Sequence, residues 1–136
     1  MTHRSRLAGF IIDCQTDDLD AATRFWSGAL GLPIGELSPE ESATYAKLDD
    51  GPGDLHIEVQ KVTHPSRVHL DIEADDVDAE AERLEKLGAR QIAFVKRWWV
   101  MEAPTGNRFC VVNPQRGPLE NRPNTNTWDD GGKKKK

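Results

Sequence analysis

Apolar and polar residues alternate most clearly between Arg67 and Ala89, RVHLDIEADDVDAEAERLEKLGA. Val68, Leu70 and Ile72 alternate with His69, Asp71 and Glu73, the period-2 pattern of a strand with one apolar face. Asp75 or Asp76 can then cap a helix, with Asp78 and Glu80 near its positive end. Val77, Ala81, Leu84 and Leu87 make one helical stripe, and Gly88 supplies a left-handed stop. The same plan occurs earlier in the chain, offset so that Ile11 falls on His69. Asp13, Asp17, Asp18, Asp20 and Ala21 then fall on Asp71, Asp75, Asp76, Asp78 and Ala79. Phe10, Ile12 and Cys14 fall on Val68, Leu70 and Ile72, so the chain reads as a duplicated strand-helix unit.

The rest of the pattern extends each copy. Residues 8–15 form the first strand and 19–30 a helix that buries Leu19, Ala22, Phe25, Trp26 and Ala29; Gly31 and Pro33 end it. A short strand is expected at Leu32–Leu37, ahead of the polar loop SPEES. Thr44–Leu48 and Leu55–Gln60 are strands joined by the turn DDGPGD. After the second strand and helix, Gln91–Lys96, Trp98–Glu102 and Arg108–Val112 supply three more strands, the last two joined by APTGN. Each half is therefore β-α-β-β-β, with modules at about 7–62 and 65–115 in a domain at 1–115. Residues 116–136 are poor in apolar side chains and are expected to be an irregular tail, with Trp128 the residue placed to fold back.

Strand parity separates two faces. Leu55, Ile57 and Val59 lie opposite in sense to His56, Glu58 and Gln60, as Val68, Leu70 and Ile72 do to His69, Asp71 and Glu73. The apolar set, with Phe109 and Val111, is expected to pack under the helices. The polar set, with Asp13, is too polar for a dry core and predicts a face open to water or to a ligand. Parity also sends Cys14 to the helix side and Cys110 to the other, so no disulfide joins them, which fits a reducing compartment.

At 136 residues, with 37% hydrophobic and 30% charged, the chain has the size and composition of an ordinary globular domain. Lys133–Lys136 contribute four positive charges to a net charge of −5, so residues 1–132 carry −9. That acidic body argues against a nucleic-acid partner, and the lysine run reads as a solvated tail. No apolar run approaches the roughly 20 residues that span a bilayer, and MTHRSRLAGFIIDCQ lacks a signal-peptide core. A cytoplasmic location with no membrane partner is the expectation. Nothing matches GxSxG, a phosphate loop or CxxC.

The segments DLDAATRFWSGALGLPI, HLDIEADDVDAEAERLEKLGA and VMEAPTGNRFCVVNP resemble the vicinal oxygen chelate superfamily, in its glyoxalase-like and bleomycin-resistance-like branch. The resemblance covers roughly residues 7 to 115. It implies an α+β fold in which two βαβββ modules form a curved mixed sheet around a cavity, with helices on the outer face. It also implies, in metal-dependent members, a divalent ion held by the first and last strands of each module. Carried onto this chain, His69 matches one ligand position, but its counterpart is Ile11, which has no donor atom. Cys110 stands where a carboxylate is usual, and Glu58 holds the remaining position, with His56 and Gln60 as alternatives. Such a set falls short of an octahedral oxygen-and-imidazole shell.

The expected function is therefore small-molecule binding in the concave cavity, with no cofactor and no catalytic metal. The binding residues are His69, Glu58, His56, Asp13, Asp71, Cys110 and Trp99. Trp98 and Trp99 occupy adjacent strand positions, so one ring faces the core and the other can stack on a ligand. The alternative is a lyase or isomerase, either metal-dependent through His69 and Glu58 or metal-free with those two as acid and base. A homodimer is the expected assembly.

Overall fold

The computed structural model describes residues 2–135. Met1 and Lys136, the outer ends of the expected domain and tail, lie outside the described residues. The chain is mixed α+β and divides into two compact units, Gly9–His69 and the remainder.

The Gly9–His69 unit holds the later part of β1 (His3–Gln15), α1 (Leu19–Leu30), the short α2 (Pro39–Ser42), β2 (Tyr45–Leu48) and β3 (His56–Val62). The β1 strand pairs parallel with β3, and β3 pairs antiparallel with β2. Asp18 caps α1 by accepting the Ala21 N–H, and Gly31 closes it in the left-handed conformation at φ 69°. Leu48, Ile57 and Val59 form a core with Phe10, Cys14, Leu19, Ala22 and Trp26 beneath α1. The expected strand at Leu32–Leu37 is reduced to one bridge, Ile34 to Leu48. Phe25, expected in the core, is 63% exposed with its ring edge-on to Trp26. Ala29 is exposed too, because α1 presents the narrower stripe of Leu19, Ala22, Thr23 and Trp26 to the sheet.

The other unit holds the start of β1, the later part of β4 (Arg67–Ala74), α3 (Val77–Lys86), β5 (Arg90–Val95), β6 (Trp98–Glu102) and β7 (Arg108–Val112). Its internal plan repeats the first: β4 runs parallel to β7, and β6 is antiparallel to both β7 and β5. Ala74, Ala81, Leu84, Met101 and Val111 are its buried core, flanked by Ile72, Val77, Trp99 and Phe109. Leu70 is 51% exposed, although parity puts it on the side of Ile72. The cluster under α3 takes only Ile72 and Ala74 from β4, so the strand outruns the helix that covers it. Val68 and Leu87 are likewise exposed rather than packed.

Residues after 115 carry more order than their composition suggests. Leu119–Asn121 make a 3-10 turn with Leu119 buried, and β8 (Asn126–Trp128) pairs antiparallel with residues 3–5 of β1; β9 (Lys134–Lys135) then pairs with β8. Trp128 does fold back: its Nε1 donates to Ser5 Oγ at 2.8 Å, and the Arg83 guanidinium lies 3.7 Å from its ring centroid. These contacts surround Glu80, which is fully buried on α3. Its carboxylate accepts from Ser5 Oγ at 2.9 Å and from Arg83 at 2.8 and 2.7 Å, and it lies 2.7 Å from His3 Nε2. Burial alone would raise the Glu80 pKa. Hydrogen bonds from Arg83 and His3 outweigh it and hold the carboxyl below its ordinary range. A lowered folded-state pKa contributes stability above the unfolded value and loses it as pH falls through the folded one. The stability difference between parent and Glu80→Gln, followed by urea denaturation, should be full above about pH 5 and shrink in acid.

Among the described residues no helix is long and apolar enough to cross a membrane.

Candidate functional site

In the Gly9–His69 unit, the register of β1 on β3 decides which side chains share a face. Gly9 lies against His56, Ile11 against Glu58 and Asp13 against Gln60. The intervening Phe10, Ile12 and Cys14 lie against Ile57, Val59 and Lys61. Ile57, Val59, Phe10 and Cys14 belong to the core under α1, so His56, Glu58, Gln60 and Asp13 stand on the opposite face. The β2 register adds Tyr45 across from Gln60 and Lys47 across from Glu58. Gln60 Nε2 donates to the Tyr45 hydroxyl at 3.1 Å.

Two histidine–carboxylate pairs organise this face. Asp13 is 2% exposed, and its Oδ2 lies 2.7 Å from His69 Nδ1. The Arg67 Nε lies 3.6 Å from the same oxygen, with the Arg67 side chain 44% exposed. His56 Nε2 lies 3.3 Å from Glu58 Oε1, both side chains 13% exposed. The expectation of His69 opposed to Glu58 is thus corrected in its pairing: His69 goes to Asp13, and Glu58 to the histidine two positions before it on its own strand. A carboxylate and an imidazole two residues apart on one strand face are neighbours by construction, whereas the Asp13–His69 pair depends on tertiary placement. Arg67 and Tyr45 were not expected at the site, whereas Gln60 stands on the polar face where it was expected. Parity alone would have found Arg67, since it stands two positions from His69.

In the other unit, Asp71 lies opposite Cys110, and Cys110 opposite Val100. Trp99 and Met101 lie against Val111 and Phe109 and join the core under α3, where Trp99 Nε1 donates to Asp78 Oδ1 at 2.9 Å. Trp99 is therefore a core residue anchored to the helix, and Trp98 is the ring that shares the face of Val100, Cys110 and Asp71. Neither cysteine forms a disulfide. Cys14, on the α1 side, has its thiol pKa raised, chiefly by burial.

The metal implied by the superfamily resemblance does not fit these residues. Ile11 is 2% exposed and offers only hydrocarbon beside Glu58. Glu58 already faces His56. The Asp13 contact at His69 Nδ1 does not itself count against an ion, since a carboxylate on one ring nitrogen commonly orients a histidine that ligates through the other. At Cys110 a soft thiol replaces the hard carboxylate such an ion prefers.

The described residues also form a groove of about 360 Å³ on the Gly9–His69 unit, lined by residues that include Leu19, Thr23, Arg24, Ile34, Leu37 and Tyr45. Its lining is mixed, and it holds none of the two histidine pairs.

Comparison with known proteins bears on these observations. Residues 9–112 match the family model of the glyoxalase-like domain. No curated protein matches the chain. Among solved structures, methylmalonyl-CoA epimerase from Mycobacterium tuberculosis is similar at 18% identity over 82% of this chain and 89% of that one, with a TM-score of 0.60. A hypothetical protein from Bacillus halodurans shares 14% identity over 84% of this chain and 97% of its own, also at 0.60. A single-residue variant of the Streptomyces coelicolor methylmalonyl-CoA epimerase, in complex with 2-nitronate-propionyl-CoA, shares 20% over 82% and 98%, at 0.56. At these identities the likeness concerns the fold.

Proposed function

The chain belongs to the glyoxalase-like domain family, and on that premise we propose that it binds a small organic molecule on the polar sheet face, without a catalytic metal. The observation that supports this most is the Asp13–His69 pair, a buried carboxylate holding an imidazole on the sheet face opposite the α1 core. A strand face that carries His56, Glu58, Gln60, Asp13 and His69 gains nothing from being dry, since each polar group needs a partner. Structurally similar epimerases bind acyl-CoA compounds, which favours an organic ligand here as well. The same reading includes a cytoplasmic location, a homodimer using exposed apolar residues such as Phe25 and Ile34, and the absence of a nucleic-acid or membrane partner.

A second reading is a metal-free lyase or isomerase. It is favoured by one feature, an imidazole whose Nδ1 is held by a carboxylate, the arrangement that prepares a histidine for proton transfer.

The binding reading is tested by a thermal-shift screen of a metabolite library on the parent, Glu58→Gln and His69→Ala. Each substitution should weaken binding of a hit by about 1–3 kcal/mol, the scale for losing a hydrogen bond to a charged or buried partner. Glu58→Gln should leave the melting temperature of the free protein nearly unchanged, because Glu58 lies outside the helix-side cores, whereas His69→Ala should lower it by removing the partner of the buried Asp13 carboxylate. A parent that no compound stabilises, with a Glu58→Gln variant that unfolds, would make these residues structural.

Metal content gives an independent check. Protein dialysed after exposure to nickel, zinc, manganese and iron should retain no stoichiometric ion by elemental analysis. About one ion per chain, lost in His69→Ala, would contradict the reading.

A further inference from the structure

Among the described residues β5 pairs with β6 alone, so the backbone N–H and C=O groups along its outer side have no strand partner. Exposed edges of this kind are normally blunted by a central charge or proline, or are covered. The β2 edge of the Gly9–His69 unit follows that rule, since it holds Lys47 and is bridged at Leu48 by Ile34. The middle of β5 has neither device. It reads Ile92-Ala93-Phe94-Val95, with Ile92 38%, Phe94 51% and Val95 37% exposed. Phe94 lies across from Trp99 on the α3 side, whereas Ala93 and Val95 lie across from Val100 and Trp98 on the other. Apolar residues on both faces suit a strand flanked by neighbours whose side chains cover it. We infer that β5 is a docking edge for a second copy of this chain, the two β5 strands pairing antiparallel about a two-fold axis at Phe94.

The choice of partner follows from parity and charge. Directly opposed residues of an antiparallel pair share a face, so an axis between two residues is excluded: it would set Phe94 against Ala93 or Val95, which point the other way. An axis at Ala93 opposes Arg90 to Lys96, and one at Val95 sets Ala93 against Arg97. An axis at Phe94 sets the two Phe94 rings side by side, each with a Trp99 ring edge-on at 5.0 Å, and matches Ala93 with Val95. It also brings Arg97 of each copy beside Gln91 of the other. Gln91 Nε2 donates to Glu85 Oε1 at 2.8 Å, so that carboxylate meets the incoming guanidinium. Arg97 is exposed, and its guanidinium has no partner among the described residues. Aromatic and opposite-charge pairs across the strands are the contacts that stabilise an antiparallel ladder. The edge is thus self-complementary, as a two-fold contact requires. It is separate from the homodimer surface at Phe25 and Ile34 and does not depend on ligand binding.

The test is sedimentation velocity of the full chain from about 1 to about 300 µM, because a single strand edge is a small interface and associates weakly. The parent should pass from monomer to dimer in this range. Phe94→Glu, which opposes two carboxylates on the axis, should raise the dissociation constant about tenfold or more. Arg97→Glu should also weaken association, more at low salt than at high, and adding Glu85→Arg should restore it. Phe94 and Arg97 are exposed, so these variants should melt close to the parent, which separates association from folding. Amide hydrogen exchange over residues 90–97 should slow as the parent is concentrated, in Phe25→Glu as well, but not in Phe94→Glu. A parent that stays monomeric throughout would overturn this contact and the homodimer together. Association lost in Phe25→Glu and unchanged in Phe94→Glu would overturn this contact alone, leaving the homodimer at Phe25 and Ile34 standing.

Discussion

Gly9→Ala is expected to destabilise the protein by about 3 kcal/mol, and by more if the strands cannot move apart. A β-carbon at position 9 would lie 1.8 Å from the His56 carbonyl oxygen and 2.6 Å from that residue's carbonyl carbon and nitrogen. All three are backbone atoms of a paired strand, so no side-chain rotation relieves the clash. Position 9 is in register with His56, the first residue of β3, and the strand separation there sets where His56 and Glu58 stand. The substitution should therefore weaken ligand binding as well as stability, whereas Gly28→Ala, with nothing within 4 Å of its added carbon, should be harmless. Denaturant titration of both variants gives the comparison. A Gly9→Ala protein as stable as the parent would mean that β1 and β3 are further apart than described.

The second large effect is expected at Arg6. Arg6 and Glu73 form an ion pair in which both side chains are nearly inaccessible to water, at 3% and 1% exposure. Glu73 also accepts the Gln115 N–H at 2.8 Å, and Arg6 Nη1 donates to the Pro123 carbonyl at 3.2 Å. Arg6→Met would strand a buried carboxylate, at a cost of about 3–5 kcal/mol. It would also loosen the segment after 115, which these bonds attach to β1 and β4. Replacing both partners by apolar residues, Arg6→Met with Glu73→Leu, should recover much of the loss, since the penalty comes from the unpaired charge rather than from losing the bridge. Equal unfolding free energies for the single and double variants would show instead that the Gln115 and Pro123 bonds dominate.

Much of this arrangement was legible in the sequence where one physical rule acted alone. Period-2 alternation located β3, β4, β6 and β7 to within a residue or two, and the repeat that lays Asp13 on Asp71 foretold that both units share one internal plan. Parity assigned His56, Glu58 and Asp13 to the face opposite the α1 core, but it did not foretell that the Asp13 carboxylate is buried there. The misplacements came where coverage mattered as well as parity. Leu70 has the right phase but lies beyond the reach of α3, and Phe25 lies at the rim of the apolar stripe that α1 buries. Adjacent tryptophans could not be told apart by pattern. Trp99 is drawn to the core side by the Asp78 carboxylate on α3, which leaves Trp98 on the opposite face. The partner of His69 was beyond the pattern altogether, since the alternation places both Asp13 and Glu58 on its face and only tertiary placement chooses between them.

The most direct test of the binding site is a crystal structure of the protein with a compound found by thermal screening. The account predicts ligand density on the β1–β3 face, within hydrogen-bond distance of His69 or Glu58. Density confined to the groove between Leu19, Arg24, Ile34 and Tyr45, with both histidine pairs unchanged, would contradict it.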